Sequence, residues 1–166
     1  MKSPIPVSLI ALVAVLPATN ADFTLYAEGI GGNGISGNAW GYQVYDGKAE
    51  CDHIIDWIWR TSSDVSGGKY GVRCKGDGDS CASSGDPAGI KELEMNFNSA
   101  EHHWTLYAAR DWGLYDLKDN KVGSCEAIKH PGDQFFCGAG AGRAEGQAKL
   151  RCKVDATAED INKHRP

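Results

Sequence analysis

Four short blocks occur twice, in the same order, along this chain. The first set is Thr24-Leu25-Tyr26-Ala27, Trp40 to Lys48 around Asp46-Gly47, Cys51, and Val72-Arg73-Cys74-Lys75. The second is Thr105-Leu106-Tyr107-Ala108, Trp112 to Lys121 around Asp119-Asn120, Cys125, and Leu150-Arg151-Cys152-Lys153. An ordered set of four matches points to a degenerate internal duplication, with pseudo-repeats over 23–75 and 104–153, the alternative being that similar β-hairpins reuse similar residues. The blocks are strand-like and joined by tight turns, so the duplication points to a β architecture.

The remaining pattern agrees. Phe23, Leu25 and Ala27 alternate with Thr24 and Tyr26, and Leu93, Met95 and Phe97 alternate with Glu92, Glu94 and Asn96, as half-buried strands do. Asp46-Gly47 supplies the positive φ angles of a primed hairpin turn between Trp40–Tyr45 and Lys48–Cys51, and Asp119-Asn120 holds the same place in the second half. Further strands are expected at His103–Ala109, Phe135–Cys137 and Lys149–Val154, with a turn at Pro131-Gly132 and a Gly/Ala loop from Gly138 to Gly146. Asp52 to Arg60 reads as a short helix capped by Asp52, or as a strand with Ile55, Trp57 and Trp59 on one face; the helix is the expectation. The fold expected is an all-β, disulfide-bonded sandwich or barrel of about ten short strands, with at most one short helix.

Residues 1–21 read as a secretory signal peptide: Lys2, an apolar run from Val7 to Leu16, and small residues at Thr19 and Ala21. The run is shorter than the ~20 residues that span a bilayer. Cleavage after Ala21 leaves 145 of the 166 residues and removes Lys2, taking the net charge from −5 to −6. A single β domain over 22–154 and a polar tail over 155–166 that frays are expected. The mature protein is expected to be soluble and extracellular. Its acidity argues against nucleic acid or an anionic membrane as partner.

Six cysteines in an exported chain imply three disulfides among Cys51, Cys74, Cys81, Cys125, Cys137 and Cys152. None are spaced as zinc ligands. If the halves are equivalent, the simplest pairing is Cys51–Cys74 and Cys125–Cys152 within them, and Cys81–Cys137 across.

Chemistry is harder to locate. The glycines from Gly29 to Gly37 lead into another strand rather than a helix, so they make a loop and not a dinucleotide cradle. Lys75 to Gly89 reads as an exposed loop pinned at Cys81, and Asp77-Gly78-Asp79-Ser80 lacks the later glycine and acidic ligand of a calcium loop. His102 and His103 are binding candidates, yet neighbours on a strand face opposite ways and cannot readily share a metal, even with His53 and His130 available. Trp57 and Trp59 are the other candidates, since exposed indoles stack on sugar rings; Trp40 and Trp112 hold repeat-equivalent places and read as core or hairpin-packing residues. No serine elbow is present, no catalytic residue is assigned, and neither cofactor nor metal is implied.

The opening Asp22-Phe23-Thr24-Leu25-Tyr26-Ala27 after the leader, the glycine-rich loop, and Val44-Tyr45-Asp46-Gly47-Lys48-Ala49 resemble uncharacterised small secreted proteins of filamentous ascomycete fungi. Trp104-Thr105-Leu106-Tyr107, Gly123-Ser124-Cys125 and Phe135-Phe136-Cys137 are similar too. The resemblance implies a secreted β-rich, effector-like protein, and it brings no catalytic residues. The expected function is therefore non-enzymatic binding, to an unknown protein or a cell-wall polysaccharide. The alternatives are a ribonuclease-like hydrolase built around Glu92, Glu94, His102, His103 and Arg110, and a lectin-like sugar binder with tryptophans exposed on one face.

Overall fold

The computed structural model describes residues 21–31, 39–54, 57–139 and 142–165. Residues 1–20 of the expected leader and most of the glycine loop lie outside these residues, as does Ile55; Ala21, the expected last residue of the leader, opens the first strand. Ten strands form among the described residues: β1 Ala21–Gly31, β2 Ala39–Tyr45, β3 Trp59–Arg60, β4 Gly71–Gly76, β5 Ile90–Asn96, β6 His103–Tyr107, β7 Gly113–Tyr115, β8 Lys121–Ala127, β9 Gln134–Ala139 and β10 Gly142–Val154. Their order in the sheet is β3-β2-β1-β10-β8-β7-β6-β5-β4, with β9 added to β10, and every strand pairing is antiparallel. A parallel bridge between Thr61 and Val72 brings the last strand toward the first and nearly closes a barrel.

Alternation sets the core. Phe23, Leu25, Ala27, Tyr42, Val44, Leu93, Met95, Trp104, Leu106 and Leu114 point inward and pack as one cluster. The outer face of β1 and β2 is buried too. Tyr26 and Tyr45 meet Phe135, Ala144 and Ala148 in a second, smaller core, with the Tyr26 and Tyr45 rings edge to face at 5.4 Å. The chain leaving β2 covers this face. Gly47 turns at φ +77° as expected, but residues 48–50 do not return as a strand; Ala49 is buried against the second core and its N–H donates to the Tyr26 hydroxyl at 3.2 Å.

That detour decides the disulfides. Cys51, on a single 3-10 turn over Cys51–His53 in place of the expected helix, meets Cys137 of β9. Cys74 closes on Cys81 within its own loop, and Cys125 joins Cys152, its direct cross-strand partner. Of the three expected pairs only Cys125–Cys152 forms, and Cys51–Cys74 and Cys81–Cys137 do not, because Cys51 lies outside the barrel beside β9 while Cys74 sits on β4 beside its loop.

Both ends of the barrel are packed. The loop after β4, expected to be solvated, buries Ser80, Gly85 and Pro87. The Tyr42 hydroxyl donates to the Cys81 carbonyl at 2.9 Å and the Lys149 amine to the Gly85 carbonyl at 2.5 Å. Lys149 is the extra residue of a bulge, where Leu25 faces Leu150 but Tyr26 faces Ala148. At the other end the tail, expected to fray, forms α1 (Ala158–Asn162). Thr157 and Asp160 cap it reciprocally, Ala158 and Ile161 are buried in the main core, and the Asn162 amide donates to the Val44 carbonyl at 3.1 Å.

Candidate functional site

β10 pairs with β8 over Leu150–Val154 and with β9 over Gly142–Gln147. Along that second stretch β2, β1, β10 and β9 form a four-stranded segment. Its register places Trp40 opposite Gly29, Gly29 opposite Glu145, and Glu145 opposite Phe136. Directly opposed residues share a face, so Trp40, Glu145 and Phe136 stand in one row across four strands. Trp40 is 48% exposed and Phe136 66%. Three strand spacings put their backbones about 14 Å apart.

Gly29 makes the row possible. A Cβ there would lie 2.6 Å from Cζ3 of Trp40, so the indole lies across the bare backbone of β1. Arg143 reaches Glu145 at 3.6 Å. Beside Phe136 and Glu145 opens a cavity of about 370 Å³, lined also by Ser83, Ser84, Gln134 and Gln147. The buried Gln147 amide lies 3.3 Å from Gln134 and 3.1 Å from Nδ1 of His130. Aromatic faces here flank a carboxylate and two carboxamides, which donate and accept in fixed planes. Such a surface suits a ligand with apolar C–H faces and many hydroxyls.

The sequence candidates fall elsewhere. Trp59 is 1% exposed and Trp57 half-buried, their rings 4.4 Å apart and edge to face. His102 is buried between Trp104 and His164, where burial, and then the His164 imidazole, push its pKa down. His103 faces the other way and places Nε2 3.0 Å from Oε1 of Glu94. Arg73, which sequence reasoning missed, donates to Oε2 of Glu94 at 2.9 and 2.6 Å and to Glu92 at 2.8 Å. Burial works to raise the Glu94 carboxyl, but the hydrogen bonds from Arg73 and His103 outweigh it and hold it below the usual carboxylate range. Arg110 is apart, 3.5 Å above the Tyr115 ring and paired with Asp119. So Glu92, Glu94 and His103 of the hydrolase constellation come together, with Arg73 in the place expected of Arg110, and His102 does not join them.

Among the described residues no group of three or more His, Cys, Asp or Glu is placed to hold a metal ion, and the Asp77 carboxylate is paired with Lys91. None of the described helices is long and apolar enough to cross a membrane. No family profile, curated protein or solved structure matches the chain.

Proposed function

We propose that this is a secreted, non-enzymatic binding protein that takes a neutral polysaccharide of a cell wall or cell surface along the Trp40–Phe136 row. The observation that carries this reading is the exposure of two large aromatics on one sheet face, flanking Glu145 and a cavity edged with carboxamides. Sugar rings present apolar C–H faces to aromatic planes, while their hydroxyls pair with carboxylate and amide groups. Three disulfides and the secretory leader support an extracellular place of action, and the resemblance to small secreted fungal proteins supports an effector-like role there. The acidic charge disfavours nucleic acid and anionic membrane.

A ribonuclease-like hydrolase has less support. Glu94 and His103 meet, but both Glu94 oxygens are occupied and His103 is 4% exposed. A general acid or base must reach the substrate.

Co-sedimentation with insoluble chitin, β-glucan and cellulose tests the proposal. At least one polymer should retain the wild-type protein, and Trp40→Ala and Phe136→Ala should each reduce retention about tenfold. Both side chains are exposed, so both variants keep the fold. Failure of every polymer to retain the protein, or equal retention of the variants, would overturn the reading.

A further inference from the structure

A second cavity, of about 320 Å³, opens beside β3 and is independent of the Trp40–Phe136 row. Trp57, Trp59, Arg60 and Tyr70 line it, with Ile30 and Ile58. Its aromatic walls are fixed against one another: Trp59 is edge to face with both Trp57 and Tyr70, at 4.4 and 6.5 Å between centroids. Cavities of this size and apolar character are typical of small-molecule sites.

The polar groups of the lining side chains are nearly all donors. The indole N–H groups of Trp57 and Trp59 are buried beneath the walls, with no acceptor among the described residues. Arg73, Arg110, Arg143 and Arg151 each have a carboxylate partner. Arg60 has none among the described residues, and it is exposed at the rim. Ile30, Ala39 and Ile58 offer no polar side-chain atom, which leaves the Tyr70 hydroxyl as the one side-chain acceptor in the lining. A guanidinium fork matches a carboxylate with two parallel hydrogen bonds. A cation has no counter-charge in these side chains, and a polyol would leave most of its hydroxyl protons without a side-chain acceptor.

We infer that this cavity binds a small aromatic carboxylate. The ring lies against Trp57 and Tyr70, and the carboxylate is held by Arg60. The ligand supplies acceptors only, which complements the Arg60 guanidinium at the rim. Its planarity matches walls that are themselves aromatic.

Isothermal titration of the disulfide-intact protein with phenylacetate, its methyl ester and inorganic phosphate tests the assignment. Phenylacetate should bind saturably, and the ester at least tenfold more weakly, because it lacks the charge that Arg60 recognises. Arg60→Gln should weaken phenylacetate at least tenfold, and, being an exposed substitution, leave the fold intact. Leu117→Ala, exposed and outside both the cavity and the Trp40–Phe136 row, should leave phenylacetate binding unchanged. The inference is overturned if phenylacetate does not bind, if the ester binds as tightly, or if Arg60→Gln has no effect. Phosphate binding as tightly as phenylacetate would also overturn it, since the site would then read charge alone.

Discussion

Glu28 offers the sharpest test of how this barrel is held together. It lies on the outer face of β1, between Gly41 and Gly146 on the neighbouring strands, and is fully buried. The Tyr45 hydroxyl donates to Oε2 at 2.7 Å, while Oε1 has no hydrogen-bond partner among the described residues. Burial pushes the carboxyl from 4.5 up to about 7, against the smaller opposing effect of the Tyr45 hydrogen bond. Below pH 4.5 the group is protonated in both folded and unfolded states and costs nothing. Between 4.5 and 7 the unfolded chain releases its proton first, so stability falls as pH rises; above 7 the full cost remains. A carboxyl raised to about 7 carries about 3 kcal/mol of that cost. Glu28→Gln keeps an oxygen for Tyr45 and removes the charge, but it adds an unpaired amide N–H worth about 1 kcal/mol. The variant should therefore be more stable than wild type by about 2 kcal/mol at pH 8, and no more stable at pH 4. Guanidinium unfolding of the disulfide-intact protein at pH 4, 6 and 8 measures this. Lys149 and His102, whose pKa values are lowered by burial, titrate in both proteins and cancel in the difference. Parallel pH profiles for the two proteins would refute the reasoning.

Other expectations follow from the staples, the cap and the platform. The Cys51–Cys137 bridge spans 86 residues and Cys74–Cys81 only 7. Loop entropy makes them worth about 4.5 and about 2.5 kcal/mol, so a Cys51→Ala/Cys137→Ala double variant should lower the unfolding midpoint more than Cys74→Ala/Cys81→Ala; the reverse order would contradict this. Ile161→Ala, which empties a fully buried site under α1, should cost about 2–5 kcal/mol in the same assay. A value under about 0.5 kcal/mol, typical of surface positions, would mean that the tail is not docked. Gly29→Val should push the Trp40 indole off β1 and abolish polysaccharide retention while leaving near-native circular dichroism; unchanged retention would count against the row.

Alternation made the barrel legible. Leu93, Met95 and Phe97 are all fully buried, on and just after β5. The hairpin at Asp119-Asn120 forms with Asp119 at φ +63° and the Asp116 carboxylate accepting from the Lys118 and Asn120 N–H groups. The pattern misled where strands or loops do more than one job. Trp40 read as core because it and Trp112 hold repeat-equivalent places; only the register with Gly29 and Glu145 shows it on the exposed stretch where β10 pairs with β9. The Gly/Ala stretch after Cys137 looked like a loop, but Gly146 is small because the Phe135 ring packs where its Cβ would be. The tail looked polar enough to fray, although Thr157 and Asp160 are a readable capping pair and Ile161 a readable anchor. Arg73 gave no signal at all, since its partnership with Glu92 and Glu94 depends on which strands become neighbours.

The central claim, that binding occurs on the Trp40–Phe136 row, is tested most directly by following backbone amides. Soluble oligomers of the retained polysaccharide would be titrated into isotopically labelled protein, and amide shifts recorded by NMR. The account predicts saturable shifts clustered at Gly29, Trp40, Gln134 to Phe136 and Glu145 to Gln147. Shifts centred on Glu94 and His103, or an unchanged spectrum at saturating oligomer, would contradict it.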